Sequence, residues 1–156
     1  MESMTLSRAL RYKKRLVERI GKVEKDIQSA NSYRVENTPE VDVQASLAQR
    51  TELVAQLVSL KLKLQAATAP IMETILNLAE KKAEISFWQS VDTKRGIHQD
   101  QWGDSPAVEY DSTFSRNFVD ERIFEIQNEI DQLQTQIDAH NASTEVQGLK
   151  PLVELI

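Results

Sequence analysis

Apolar residues recur at helical spacing through four segments of the chain. In the first, from Thr5 to Ala30, they fall into two interleaved seven-residue series. The pattern predicts one face of a coiled-coil helix, with Thr5 as its N-cap and a single polar intruder. The first series is Ala9, Leu16, Val23 and Ala30, and the second is Leu6, Lys13, Ile20 and Ile27.

Two further helices are predicted between Thr38 and Trp88. Thr38-Pro39-Glu40 has the residues of a helix start, so the second helix should run to about Ala67. Pro70 then indicates either a tight break or a kink in a continuous helix. Both helices are apolar on more than one side, which predicts packing on more than one side. The second carries Leu53, Leu57, Leu60, Leu64 and Ala67 beside Leu47, Val54, Val58 and Leu62; the third carries Ile71, Ile75, Leu78 and Ile85 beside Met72, Leu76, Ala79 and Ala83.

The last helix is predicted from about Phe118 to Asn141, where Asn141 would end it in a left-handed conformation. Its seam comprises Val119, Ile123, Ile126, Ile130, Leu133, Ile137 and His140. The irregular stretch 89–117 precedes it, and a short hairpin with 107–110 as one strand is one interpretation of this loop. An apolar tail, 148–156, follows it, and Gly148 there offers a turn.

These elements predict an all-α protein: an elongated antiparallel bundle or coiled-coil hairpins of about four helices, with one domain over 1–147. The 156 residues include only 4 Gly, 4 Pro and 6% aromatics, a composition that disfavours a β-sandwich. The absence of cysteine excludes thiolate catalysis, zinc-thiolate sites and disulfides. No signal peptide or membrane-length apolar run is present, so a cytoplasmic location and no membrane contact are expected.

Charge is divided unevenly along the chain. Thr5–Ala30 has eight basic and three acidic side chains, about +5, whereas Phe118–Asn141 has one basic and six acidic, about −5. Helices of opposite charge can select one another, so these two are predicted to pair within or between subunits, with Glu125 and Glu129 contributing. The alternative is that the first helix binds nucleic acid or anionic lipid. The net charge of −5 disfavours it, and no nucleic-acid partner is expected.

Motifs for chemistry are weak. His98, Asp100, Asp104, Glu109 and Asp111 could be interpreted as a metal site, yet linear proximity does not make ligands converge, and a solvated acidic loop is the preferred interpretation. His140 suits a capping or packing role. Phosphate-binding glycine motifs and a hydrolase serine motif are missing. Catalytic residues, cofactors and metals are therefore not predicted.

Parts of the sequence resemble the septicolysin-like family of small bacterial helical proteins. The similarity rests on the opening segments 6–10 (LSRAL) and 16–20 (LVERI) and on the close at 130–146 (IDQLQTQIDAHNASTEV). Members usually have Trp after the asparagine of that ending, where this chain has Ala142; the loop before Phe118 and the tail also look longer here. The resemblance implies a helical fold and brings no established activity.

The sequence therefore favours a non-enzymatic structural or interaction protein that forms a homo-oligomer. Leu57 and Leu64 are the candidate contacts on the helices. Leu152, Leu155 and Ile156 are candidates on the tail, which would dock on its own bundle, on a like subunit or on another protein. A membrane-acting, cytolysin-like role is the alternative that the family name suggests, and a metal-dependent enzyme using the acidic loop is the third.

Overall fold

The computed structural model describes residues 2–99, 103 and 106–149, and this part of the chain is 71% helical. The predicted helical character is confirmed. Strict all-α architecture is not, because four three-residue strands accompany the helices. In chain order the elements are β1 (Ser3–Thr5), α1 (Leu6–Ala30), α2 (Val43–Thr68), a 3-10 turn (Ala69–Ile71), α3 (Met72–Ser90), β2 (Gly96–His98), β3 (Val108–Tyr110), α4 (Arg116–Ser143) and β4 (Glu145–Gln147).

Side-chain caps explain where the helices begin. The Thr5 hydroxyl accepts a hydrogen bond from the backbone N–H of Arg8 at 3.4 Å, as predicted. The start predicted at Thr38 is wrong, because the Asp42 carboxylate caps α2 by accepting from Ala45 N–H at 3.0 Å. Ser115 caps α4 in the same way, 3.1 Å from the N–H of Phe118. Each cap satisfies an N–H that the helix itself leaves unpaired.

Two predicted helix ends have a different form in the structure. Pro70 lies in the 3-10 turn that separates α2 from α3, so the predicted interruption is a short change of helix type. Asn141 does not end α4, since positive φ angles in the described chain occur only at Gly96 and Gly148. The helix continues to Ser143, and Thr144 N–H then bonds to His140 O at 2.9 Å.

Contacts divide the chain into two compact units, the first comprising residues up to 71 and from 138 onward. In this unit α1 and α2 pack antiparallel, because Arg50 pairs with Glu24 while Tyr12 lies beside Leu60 and Lys63. The buried core is apolar throughout, which supplies the main stabilising term. It consists of Met4, Leu6, Ala9, Tyr12, Leu16, Ile20, Val23, Leu53, Leu60, Leu64, Val146 and Leu149.

A small sheet closes the first unit. β1 and β4 pair antiparallel, with Met4 opposite Val146, and Leu6 N–H donates to Thr144 O at 2.7 Å. Gly148 then turns with φ of +70°, its N–H donates to Glu2 O at 3.2 Å, and its carbonyl accepts from the Lys63 ammonium. Leu149 is buried in the core. This sheet together with Gly148 and Leu149 is hereafter the clasp, and it confirms the predicted turn at Gly148.

The second unit comprises residues 72–137. Its helices are antiparallel, since Lys81 and Trp88 of α3 contact Glu129 and Phe118 of α4. The predicted seam of α4 is its inward side, with Val119, Ile126 and Ile137 buried. β2 and β3 form the hairpin in the loop, Ile97 opposite Glu109, which confirms the strand predicted at 107–110. Both units thus contain an antiparallel helix pair.

Candidate functional site

An apolar row lies on the exposed side of α3. Its members are spaced four, three, four and four residues apart, which places them on one side of the helix. Leu76 is 59% exposed and Phe87 58%, whereas Leu78, on a different side, is buried. This row, called the α3 stripe below, consists of Met72, Leu76, Ala79, Ala83 and Phe87.

A second apolar row lies on α2. Leu47, Val58 and Leu62 are all more than half exposed, and Val54 between them is half-buried. They occupy a different side of the helix from Leu53 and its buried neighbours. The sequence predicts packing on more than one side of α2 and α3, whereas in the described chain one apolar side of each helix is exposed.

The two helix residues predicted as subunit contacts lie inside the chain's own core. Leu64 is 6% exposed, and Leu57 is partly buried against the same cluster. Both belong to the side of α2 that packs on α1, because their spacing matches that of the buried Leu53 and Leu60. They therefore pack within their own chain, and a contact with another subunit stays a prediction. The apolar side of α2 that is open to a partner is the exposed row described above.

The two candidate glutamates of α4 belong to an ion-pair network with α3. The Lys81 ammonium lies 2.7 Å from Glu129 and 3.2 Å from Glu84. The Arg122 guanidinium lies 2.9 Å from Glu84, 3.2 Å from Glu125 and 3.7 Å from Glu129. The sequence predicts that Glu125 and Glu129 face the basic first helix, whereas their ion-pair partners in the described chain are Lys81 and Arg122.

The network shifts the ionisation of its members. Hydrogen bonds to Glu129 and then to Glu84 raise the pKa of Lys81 above its ordinary value. The Lys81 ammonium is the main cause that lowers the pKa of Glu84, with Arg122 and the Trp88 indole adding to it. These charges are therefore held at neutral pH, which favours a role in aligning α3 with α4 over proton transfer.

Aromatic side chains gather where α3 ends and α4 begins. Trp88 lies edge-on to Phe87, Phe114 and Phe118, with ring centroids 5.2, 5.5 and 6.0 Å away. Phe114 and Phe118 stack at 4.9 Å. Such pairs contribute about 0.5–1.5 kcal/mol each beyond area burial. Trp88 is thus a packing anchor at a helix end.

In the acidic loop, the described candidate residues Asp111 and His98 make local contacts. Asp111 accepts from the Arg95 guanidinium at 3.0 Å and from Ser112 N–H at 2.8 Å, and the Ser112 bond is the main cause that lowers its pKa. The His98 ring N–H donates to Arg95 O at 2.8 Å. Within the described ranges, three or more potential metal ligands do not converge anywhere. Asp100 and Asp104 lie outside the described residues.

His140 links two helix ends in the first unit. Its ring N–H donates to Ala67 O at 2.8 Å, and its other contact is the Thr144 hydroxyl at 3.3 Å. This geometry confirms the predicted capping and packing role. The candidate tail residues Leu152, Leu155 and Ile156 lie outside the described residues, so their docking stays a prediction.

Two residues stand out among those that the sequence analysis does not include. Tyr12 is buried in the core, whereas the predicted seam contains its neighbour Lys13, which is partly exposed. Spacing offers a signal, because Tyr12 is three residues after Ala9 and four before Leu16. Lys81 is the other; its position three residues after a buried leucine places it on the inward side of α3.

Comparisons with known proteins show the fold and leave the activity open. No protein-family model matches the chain, and no curated protein matches it. A crystal structure of a functionally unknown conserved protein from Corynebacterium diphtheriae is similar, with a TM-score of 0.71 and 18% identity over 94% of this chain and 100% of that chain. Among the described helices, none combines the length and apolarity needed to cross a bilayer.

Proposed function

We propose that the chain is a non-enzymatic interaction protein that self-associates through exposed helix faces. The observation that supports this most directly is the α3 stripe. It runs the length of a helix whose opposite side carries the buried Leu78 and the ion pairs to α4, and it holds two large side chains that are more than half exposed. Apolar surface arranged at coiled-coil spacing is the kind of surface that a like helix covers.

The second unit gives this proposal an energetic reason. Its buried hydrophobic residues in the described chain are Leu78, Val119, Ile126 and Ile137, while the large core belongs to the first unit. Two helices with so few buried side chains have little hydrophobic stabilisation of their own. Covering the α3 stripe with a second copy adds the missing burial, and a coiled-coil contact is the geometry that we propose for it.

Light scattering on Leu76→Asp tests the proposal. At about 1 M salt, where exposed charge pairs are screened, wild type is expected to be larger than a monomer at tens of micromolar, and Leu76→Asp is expected to be monomeric because a charge replaces one of the most exposed side chains of the stripe. Asn77→Asp is the matched control, since it places the same charge on the neighbouring exposed residue, off the stripe, and should keep the wild-type mass. Monomeric wild type, or equal masses for Leu76→Asp and wild type, would contradict the proposal.

A further inference from the structure

The outward side of α1 is basic. Arg8, Arg11, Arg15, Lys22 and Lys25 are exposed and follow spacings of three, four, seven and three, so they share the side opposite the buried seam. The row from Arg8 to Lys25 covers eighteen residues, or about 26 Å of helix. Lys14 lies beside them. Within the described ranges, ion pairs are absent from Arg8, Arg11, Lys14, Lys22 and Lys25.

Apolar residues lie along one edge of this row. Leu10 is 39% exposed and Val17 47%, and both are on the side of α1 turned away from its buried seam. Gly21, four residues after Val17, has open space above it, because an added Cβ would meet nothing within 4 Å. The charged row with this apolar edge is called the α1 basic face below. It combines charged and apolar surface in the way that is usual in protein interfaces.

The outward side of α4 has the opposite charge. Phe124 is 64% exposed at mid-helix, and one turn or two turns away lie the exposed Asp120, Glu121 and Asp131. Large exposed aromatic residues are the usual anchors of binding energy in interfaces. These four residues form the α4 acidic face. Residues 72–137 as a whole carry thirteen acidic and six basic side chains, a net charge of −7.

We infer that the α1 basic face of one copy docks on the α4 acidic face of a second copy. The inference rests on the proposed self-association and adds a second, charge-selected contact to the apolar one. Phe124 would pack against Leu10 and Val17 while the surrounding charges pair. Each copy supplies both faces, so one copy can take part in this contact twice.

The charge distribution favours a second copy over a polyanion as the partner of the α1 basic face. The chain carries −5 overall and −7 in residues 72–137, so the net charge of the molecule disfavours binding to a nucleic acid or an anionic bilayer. An acidic helix with an exposed phenylalanine at its centre meets both the charge and the apolar edge of the α1 basic face. Complementary faces also raise the association rate.

The salt concentration distinguishes the α1–α4 contact from the apolar contact of the α3 stripe. Screening weakens exposed ion pairs and leaves apolar contacts intact, so the assembly held by the α3 stripe should persist at about 1 M salt, where the Debye length is roughly 3 Å. Larger species should appear only at low salt. Light scattering of wild type at both salt levels therefore measures the two contacts separately.

Charge reversal then tests the faces themselves. One variant carries Arg11→Glu, Lys14→Glu and Lys22→Glu; the other carries Glu121→Lys and Asp131→Lys. Each alone should lose the low-salt species, with association weakened at least about tenfold, and an equal mixture should regain it. Phe124→Ser should also weaken it by about tenfold or more. Lys82→Glu, an exposed reversal on α3, is the control that should leave it unchanged.

Each outcome has a distinct meaning. If wild type forms the high-salt assembly and every variant has the same mass as wild type at low salt, the inference is overturned while the proposed function stands. A wild type that is monomeric at both salt levels contradicts both. If the basic-face variant keeps its assembly but loses binding to phosphatidylserine vesicles, the α1 basic face serves an anionic surface, and the inference is likewise overturned.

Discussion

Leu62 and Leu64 are two residues apart on α2 and differ about tenfold in exposure, at 64% and 6%. Leu64→Ala should cost about 2–5 kcal/mol of unfolding free energy, because it leaves a cavity beneath α1. Leu62→Ala should change it by no more than about 0.5 kcal/mol, since the side chain lies in water. Urea denaturation at high salt measures both, and comparable losses would show that Leu62 is covered.

A substitution at Gly21 is expected to stabilise the chain, in contrast to Leu64→Ala. It lies inside α1, and an added methyl group would meet no neighbour within 4 Å. Gly21→Ala should therefore stabilise the chain by about 0.5–1 kcal/mol through helix propensity. Thermal unfolding at a low protein concentration checks this, and a lower melting temperature would contradict the open space above Gly21.

Single residues show how far hydrophobic periodicity predicts the packing. The α4 seam is predictable because its apolar positions are unambiguous. Periodicity does not separate Tyr12 from Lys13, because the two border the seam on opposite sides and both have helical spacing to Ala9 and Leu16; the choice depends on the twist of the partner helix. It does not distinguish the roles of Leu57 and Leu62 either: it identifies two apolar sides of α2, and only the packed structure shows which one α1 covers.

At the scale of elements, the ion-pair network between α3 and α4 predicts a pH dependence. Because the folded pKa of Glu84 lies below its ordinary 4.5, this carboxylate stabilises the fold above that pH, and the stabilisation is lost as the pH falls through the folded value. Glu84→Gln should remove about 0–1 kcal/mol at neutral pH and flatten the loss between roughly pH 5 and 3.

Glu80→Gln supplies the control for this titration. Glu80 is an exposed glutamate on the same helix and lies outside the network. Its replacement should leave the acid limb of the stability curve unchanged. Equal acid limbs for Glu84→Gln and wild type would show that the network does not contribute to stability.

Helix boundaries are predictable only where the sequence offers a single candidate cap residue. Thr5 is such a case, whereas Thr38 and Asp42 compete for the start of α2. Asp42 caps because its carboxylate reaches Ala45 N–H, and choosing between two valid cap signals requires the geometry of the preceding loop. β1 and β4 are invisible to the sequence pattern, because three-residue strands carry too little periodicity to signal pairing between distant ends of the chain.

At the scale of the whole molecule, the clasp predicts that the free energy of unfolding depends strongly on Gly148 and Leu149. Ending the chain after Gln147 removes the burial of Leu149 and the acceptor of the Lys63 hydrogen bond. The free energy of unfolding should fall by about 1.5–3 kcal/mol, the usual contribution of one buried aliphatic side chain.

A chain that ends after Leu149 is the matched control. It keeps the clasp and removes only 150–156, so it should retain most of the stability lost in the shorter chain. Chemical denaturation of both truncations measures the difference. Equal stability of the two would show that Leu149 contributes nothing, and a loss confined to residues 150–156 would assign the stabilisation to the tail.

The clasp also fixes how the molecule responds to tension. Ser3 lies opposite Gln147, so the chain enters β1 and leaves β4 at the same end of the two-stranded sheet. A force that pulls residue 2 away from residue 148 therefore loads the hydrogen bonds one after another, as in a zipper, and never all at once in shear. The sheet should part at low force and free Leu149 while α1 and α2 remain paired. A force applied at residues 2 and 148 would therefore open the sheet before it separates the two helices.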